Sequence, residues 1–212
     1  MTPKQQYYET TANTILKSFE RRGFEGCYCA TSKEAVEKAL SYVKPGMQVS
    51  FGGSMTLGEC GVMDALRERT DITLLDRSKA ETQEEVQEIY HKALSCDCYF
   101  MSTNAITLDG ELVNTDGTGN RVAALIYGPK NVIIVAGMNK VASSLEEAKS
   151  RVKNIASPPN CIRLNRNTPC ALTGKCHDCF GDDCICSQTV ITRRSAIKNR
   201  IKIILVGEEL GY

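Results

Sequence analysis

The sequence predicts an α/β fold with a mostly parallel sheet, helices on both faces, a small antiparallel element and a Cys-rich C-terminal segment. Two observations carry this expectation. Short apolar runs alternate with helical segments of the length that βαβ crossovers require. Several of those helical segments also start at a hydroxyl residue followed three positions later by Glu, the signature of a capping box. The chain, residues 1–212, reads as one domain that includes a Cys-rich insertion at 161–187.

Residues 4–22 form the first expected helix, with Tyr8, Ile15, Leu16 and Phe19 at helical spacing and Gly23 placed to end it. A strand over 24–30 follows, then a helix over 32–43 capped by Thr31 with Glu34 and closed by Lys44-Pro45-Gly46. Residues 47–51 are a second strand, 57–69 a helix and 72–75 a third strand. Thr82 and Glu85 cap a helix running to about Ser95, and 98–102 is another buried strand. Asp109-Gly110, flanked by Ile106-Thr107-Leu108 and Glu111-Leu112-Val113, predicts a hairpin. Val132-Ile133-Ile134-Val135 is the strongest core strand, because β-branched side chains are stiff and favour the pleated backbone. Ser143 or Ser144 with Glu146 or Glu147 caps the helix after it, and the regular α/β pattern ends near Ser157-Pro158-Pro159. Strands over 189–192 and 201–206 complete the chain.

Composition narrows the partners. With 26 Lys and Arg against 25 Asp and Glu, and no long run of either sign, neither a nucleic-acid footprint nor an anionic-membrane surface is expected. No stretch of about 18 apolar residues occurs, and the N-terminal residues lack a secretory pattern, so the expected location is the cytoplasm. In that reducing setting the 11 cysteines are expected as thiols or metal ligands rather than disulfides. The expected ligand is a small molecule.

Two polar, Gly-rich loops are candidates for holding it. Gly52-Gly53-Ser54-Met55-Thr56 runs from a strand into a helix. Glycines there admit a ligand close to the backbone, free amides at a helix start favour negative charge, and hydroxyls add donors. The alternative is a tight turn whose Ser54 or Thr56 merely caps the helix. Glu59, one turn further on, is placed either as a general base of the same crevice or as a solvated helix residue. The second loop, Asp116-Gly117-Thr118-Gly119-Asn120-Arg121, can wrap a polar ligand, with Arg121 as a carboxylate or phosphate clamp. The alternative is only a turn and N-cap. His91 has no obvious partner and reads as a surface residue.

The C-terminal third holds Cys170, Cys176, Cys179, Cys184 and Cys186 in the spacing C-x5-C-x2-C-x4-C-x-C. A C-x2-C step lets two thiolates reach one ion, and the nearby cysteines can complete a tetrahedral or cubane-type site. Zinc and an iron–sulfur cluster are both open, and the spacing departs from the bacterial ferredoxin run. Free thiols are the plain alternative, and His177 is an alternative ligand. Cys27, Cys29, Cys60, Cys96 and Cys98 fall on strands or helices, where buried cysteine behaves as a small hydrophobe.

Gly52 to Glu59, Ser102 to Thr107, Asp109 to Asn114, Asp116 to Val122 and Gly128 to Val132, taken together, resemble the lactate-utilisation (LUD) domain family over about residues 10–206. The chain looks closest to a branch with extra C-terminal cysteines. The resemblance implies a ribose-phosphate isomerase/CoA-transferase-like fold whose Gly-rich loops bind phosphate or carboxylate groups. It favours Cys170, Cys176, Cys179 and Cys186 as metal ligands, with Cys184 spare. It also implies work in lactate or other organic-acid metabolism beside iron–sulfur redox proteins. Three functions stay open: an enzyme or enzyme subunit acting on a small anionic metabolite, a redox accessory protein, or a regulatory binding module with structural zinc and no turnover. A homodimer is the expectation from symmetry preferences alone.

Overall fold

Thr2 and Gln5 form a reciprocal capping box that starts helix α1 (Pro3–Arg21): Gln5 N donates to Thr2 Oγ1 at 3.2 Å and Thr2 N to Gln5 Oε1 at 2.7 Å. The computed structural model describes residues 1–212. After α1 come β1 (Glu25–Cys29), α2 (Ser32–Leu40), β2 (Gln48–Phe51), α3 (Met55–Glu59), α4 (Val62–Arg67), β3 (Thr73–Leu75) and α5 (Gln83–Ala93). The middle of the chain forms β4 (Cys98–Met101), β5 (Ala105–Thr107), β6 (Leu112–Asp116), α6 (Asn120–Ile126), β7 (Asn131–Gly137) and β8 (Val141–Ala142). Helices α7 (Leu145–Arg151), α8 (Ser157–Arg163) and α9 (Pro169–Thr173) then precede β9 (Gln188–Thr192) and β10 (Ile201–Val206).

The main sheet has six strands in the order β1-β10-β7-β4-β2-β3, every neighbouring pair parallel. Side chains alternate across it. Val132, Ile134 and Ala136 of β7 join Ile201, Ile203 and Leu205 of β10 in the core that α1 covers with Ala12, Ile15 and Phe19. Ile133 and Val135 join Ile204 and Val206 on the opposite face, under Ala35 and Ala39 of α2 and Val62 and Leu66 of α4. The α/β expectation with helices on both faces is met. No helix is long and apolar enough to cross a membrane.

Three local differences from the sequence expectation have physical reasons. The single helix expected over 57–69 is two, because Gly61 adopts φ +89°, a left-handed backbone that ends α3 and starts α4. The helical run does not stop at Ser157-Pro158-Pro159. Residues Val152–Ala156 widen to a π turn, and α8 continues from it with the prolines in its first turn, where a missing backbone N–H costs no intrahelical bond. Finally, the small antiparallel element is a four-stranded mixed sheet, β8-β5-β6-β9. The Asp109-Gly110 hairpin forms as expected, with Gly110 at φ +83°. Strand β9, arriving from the Cys-rich segment, adds to its far side and pairs Gln188 with Asp116.

Arg200 was not singled out by sequence reading, yet it is buried and closes the C-terminal end of α6. Its guanidinium donates to the carbonyls of Ala124 (2.8 Å), Leu125 (2.8 Å) and Pro129 (2.9 Å).

Candidate functional site: a cationic cavity at the strand ends

The loops that leave the carboxyl ends of β2, β3, β4, β7 and β10 open onto a cavity of about 680 Å³. This is where open parallel sheets bind ligands, because the chain diverges there and helix starts point inward. These loops contribute Gly53 to Thr56, Arg77, Ser102 to Asn104, Lys140 and Tyr212. Residues of 115–121 form a second wall, and α8 with the Cys-rich segment forms the third.

In the first loop the two glycines have different duties. Gly52 is buried and extends the sheet, its amide donating to Phe100 O at 2.8 Å. Gly53 faces the cavity, and a Cβ there would lie 2.3 Å from Arg77 Nη2, so only glycine lets that guanidinium lie against the loop. Ser54 Oγ accepts from Leu57 N at 3.3 Å and so caps α3. Thr56 is buried, and its hydroxyl donates to Leu210 O at 3.1 Å. Both hydroxyls are thus engaged in holding the turn. The amides of Gly53 and Ser54 donate to no acceptor of the chain. Glu59 is exposed and lies outside the cavity wall. Its Oε2 accepts from Gly211 N at 2.6 Å, so it ties down the C-terminal tail and is not positioned as a base of the cavity.

The second loop folds around Arg121. Its Nη1 donates to Asn114 Oδ1 at 2.6 Å and Ser102 O at 3.3 Å, while Nη2 donates to Asn104 Oδ1 at 3.0 Å and Thr115 O at 2.7 Å. Nε lies 3.4 Å from Asp116 Oδ1. Both terminal nitrogens are therefore engaged by the chain itself and Nε is ion-paired, so Arg121 supplies charge and order to the wall rather than a free clamp. Asp116 Oδ2 accepts from Arg121 N (3.0 Å) and Val122 N (3.1 Å), capping α6. Gly117 and Asn120 line the cavity, with Gly117 facing the backbone of Ile185. Gly119, at φ +90°, sits just before α6 and is not in the wall.

Sequence reading passed over the cations that remain. Arg77 donates to Tyr90 Oη at 2.6 Å and Arg163 to Asn160 Oδ1 at 2.7 Å, and neither has a carboxylate within ion-pair reach. Lys140, three residues past the end of β7, is 4% exposed; its Nζ donates to Ser102 Oγ at 3.2 Å and meets no carboxylate. Burial, then the nearby charges of Arg151 and Arg121, lower its pKa to about 7, with Glu59 opposing weakly. Its signal was legible: a lone lysine in an apolar stretch directly after the strongest core strand. Gly137 permits the tail to cross here, since a Cβ would lie 2.6 Å from Glu208 O, and Asn139 fixes that tail through Leu210 N (3.1 Å) and Gly211 O (3.2 Å).

The cysteines sort into two groups. Cys29, Cys60, Cys96 and Cys98 are buried within the core clusters, and Cys27 packs against one of them. The others gather around α8, α9 and the loop beyond. Cys170 Sγ lies 3.6 Å from Cys161 Sγ, a neighbour that the spacing argument left out, and 3.3 Å from Thr168 Oγ1. Burial pushes the Cys161 thiol up to about 11. Cys186 is exposed as a residue but turns its Sγ inward to Ser157 Oγ at 3.4 Å. Cys184 lines the cavity. Cys176 and Cys179 are half-buried, and His177 is exposed, with Nε2 3.0 Å from Thr173 Oγ1. No three His, Cys, Asp or Glu side chains converge on one point in this arrangement. The donor chemistry, all thiols, suits zinc or an iron–sulfur cluster.

Solved structures similar to this chain are distant in sequence. A DUF162 family protein from Deinococcus radiodurans superposes with a TM-score of 0.50 at 12% identity, over 94% of this chain and 98% of that one. A ribose 5-phosphate isomerase from Plasmodium falciparum (TM-score 0.35, 18% identity) matches over 53% of this chain and 52% of its own. The β subunit of eIF2B from Chaetomium thermophilum (TM-score 0.37, 18% identity) matches over 53% and 43%. No curated protein matches the sequence. The LUD domain family model matches residues 12–206, nearly the whole of the α/β body just described, and the chain belongs to that family.

Proposed function

We propose that the cavity binds a small anionic metabolite, carrying a carboxylate or phosphate, and that the protein serves lactate or related organic-acid metabolism in the cytoplasm. One observation carries this reading: five basic side chains, Arg77, Arg121, Lys140, Arg163 and Arg166, line a cavity whose only acidic side chains are Asp116 and Asp182. Three of the five lack a carboxylate partner. Placing such charges together costs free energy unless an anion joins them, and partial burial strengthens the attraction. The free amides of Gly53 and Ser54 add neutral donors at the same wall. Family membership is consistent with a lactate-utilisation role.

The test is thermal unfolding of the full chain with lactate, pyruvate, inorganic phosphate and a CoA thioester. At least one should raise Tm, and Arg77→Gln with Arg163→Gln should weaken that ligand about tenfold, equivalent to about 1.4 kcal/mol. Because Ser54 and Thr56 use their hydroxyls internally, removing the cations is the cleaner test. An unchanged Tm across the panel sinks the reading.

A second reading concerns the thiols. Cys170, Cys176, Cys179 and Cys186 would hold a zinc ion or an iron–sulfur cluster, which would staple the wall formed by residues 156–187 or supply a redox centre there. That wall lines the same cavity through Asp182, Cys184, Ile185 and Ser187, which favours a link between metal and ligand. Elemental analysis after anaerobic purification should find iron or zinc, lost in Cys176→Ser with Cys179→Ser. Metal-free wild type would end it.

A further inference from the structure

Lys140 has surroundings unlike those of the other basic residues of the cavity. Arg77 and Arg163 are held at their tips by neutral groups on the outer parts of the wall, whereas the Lys140 amine is enclosed at the bottom, where the carboxyl ends of β4 and β7 meet. Its one hydrogen-bond partner is the Ser102 hydroxyl at 3.2 Å. The charged groups around it are Arg151 from α7, Arg121 from α6 and, at longer range, Glu59 from α3. Arg151 is itself committed to the carbonyls of Asn104 (2.6 Å) and Asn139 (3.1 Å), so it cannot turn away. Burial beside two fixed guanidinium charges, opposed only by the more distant Glu59 carboxylate, makes a poor home for an ammonium ion and a good one for a neutral amine.

We infer that Lys140 is a nucleophilic amine that forms an imine with a small carbonyl compound bearing a carboxylate or phosphate, which the cavity holds through its arginines. The inference rests on the anion-binding reading above and adds the chemical class of the ligand. The step balances without any further reactant. The nitrogen lone pair attacks the carbonyl carbon, and the carbonyl oxygen takes up the proton that nitrogen releases, with Ser102 Oγ in reach to relay it. The resulting carbinolamine then loses its oxygen as water when the C=N bond forms. The Arg121 charge that, after burial and Arg151, disfavours the ammonium form also adds to the positive potential that draws an anionic group into the cavity. Since burial and those charges bring the amine to about 7, its reactive fraction rises as pH increases through neutrality.

The experiment is reductive trapping on the full chain. Wild-type protein is incubated with pyruvate or with dihydroxyacetone phosphate, each with and without cyanoborohydride, and the intact mass and the modified peptide are read. The expected result is a single reduced adduct on Lys140 with one of the two probes. Its yield should grow from pH 6 to pH 8, and it should be absent from both Lys140→Arg and Lys140→Met. The second variant guards against misfolding of the first, and circular dichroism of each checks the fold. Adducts scattered over surface lysines, or no adduct although the probe still raises Tm without reductant, overturn the imine and leave anion binding standing. No adduct together with no Tm shift from any anion removes both.

Discussion

The wall built from strand ends and the wall built from residues 156–187 face the same cavity with opposite construction. On the strand side Thr56, Ser102 and Lys140 are buried, and each polar atom is held by a named partner. On the other side Arg163, Leu164, Arg166 and Asp182 are exposed, α9 carries Leu172 at 80% exposure and the loop beyond it Phe180 at 99%. The first wall is over-determined by the parallel sheet, while the second depends on local hydrogen bonds such as Arg166 to Asp183 at 3.2 Å. The difference separates two kinds of wall: the sheet side holds its polar groups in fixed positions, while the loop side, with fewer buried contacts, is the more easily displaced.

The largest expected effect breaks the rigid wall from behind. Ile134 is fully buried in β7, between Ile203 of β10 and Met101 of β4 in register. Ile134→Ala should cost about 2–5 kcal/mol, since it removes buried methyl groups and leaves a void in a sheet centre that cannot collapse. Urea unfolding measures it. A loss below 1 kcal/mol would show that the sheet is not the rigid half of the comparison.

A smaller effect, of opposite sign, comes from the lysine at the cavity floor. The folded chain holds Lys140 near 7, below its unfolded value, so folding releases a proton across the interval between about 7 and 10.5. Stability should therefore rise with pH over that interval. Lys140→Met removes the buried amine and should be the more stable protein at pH 7 by on the order of 1–2 kcal/mol, once the lost hydrogen bond to Ser102 is allowed for. The gain should shrink toward pH 10. A constant difference across that range would mean that Lys140 titrates normally in the folded state.

How far the sequence spoke follows the same division. The strong strand Val132 to Val135, the Thr31, Thr82 and Ser144 caps and the Asp109-Gly110 hairpin all formed where local rules placed them, because each is decided by neighbours within a few residues. The break at Gly61 was missed because an apolar helical period survives across it, and only the left-handed φ reveals the turn. Within the site, the two Gly-rich loops do reach one cavity. Their hydroxyls and Arg121 turned inward to hold the loops, and sequence cannot distinguish a side chain that serves a ligand from one that serves its own turn. Arg77, Lys140 and Arg163 come from three distant places in the chain, and only the strand order β7-β4-β2-β3 and the return of α8 bring them together. Cys161 was passed over for the same reason: nine residues separate it from Cys170, and α8 and α9 close that gap.

The smallest effect sharpens the loop side. Phe180 is almost wholly exposed, so Phe180→Ala should change stability by no more than about 0.5 kcal/mol in metal-free protein. The same substitution tests the proposed metal site when it is repeated after zinc or iron is supplied to the protein. An ion held by Cys176 and Cys179 would draw the chain in on either side of Phe180 and restrict it. If Phe180 then gains contacts, Phe180→Ala should lower the Tm of the metal-loaded protein and leave that of chelator-treated protein unchanged. Equal and negligible effects in both forms would place the aromatic ring outside the stapled wall. A cost above 1 kcal/mol without metal would show instead that the loop is packed on its own, and the contrast between the two walls would fail.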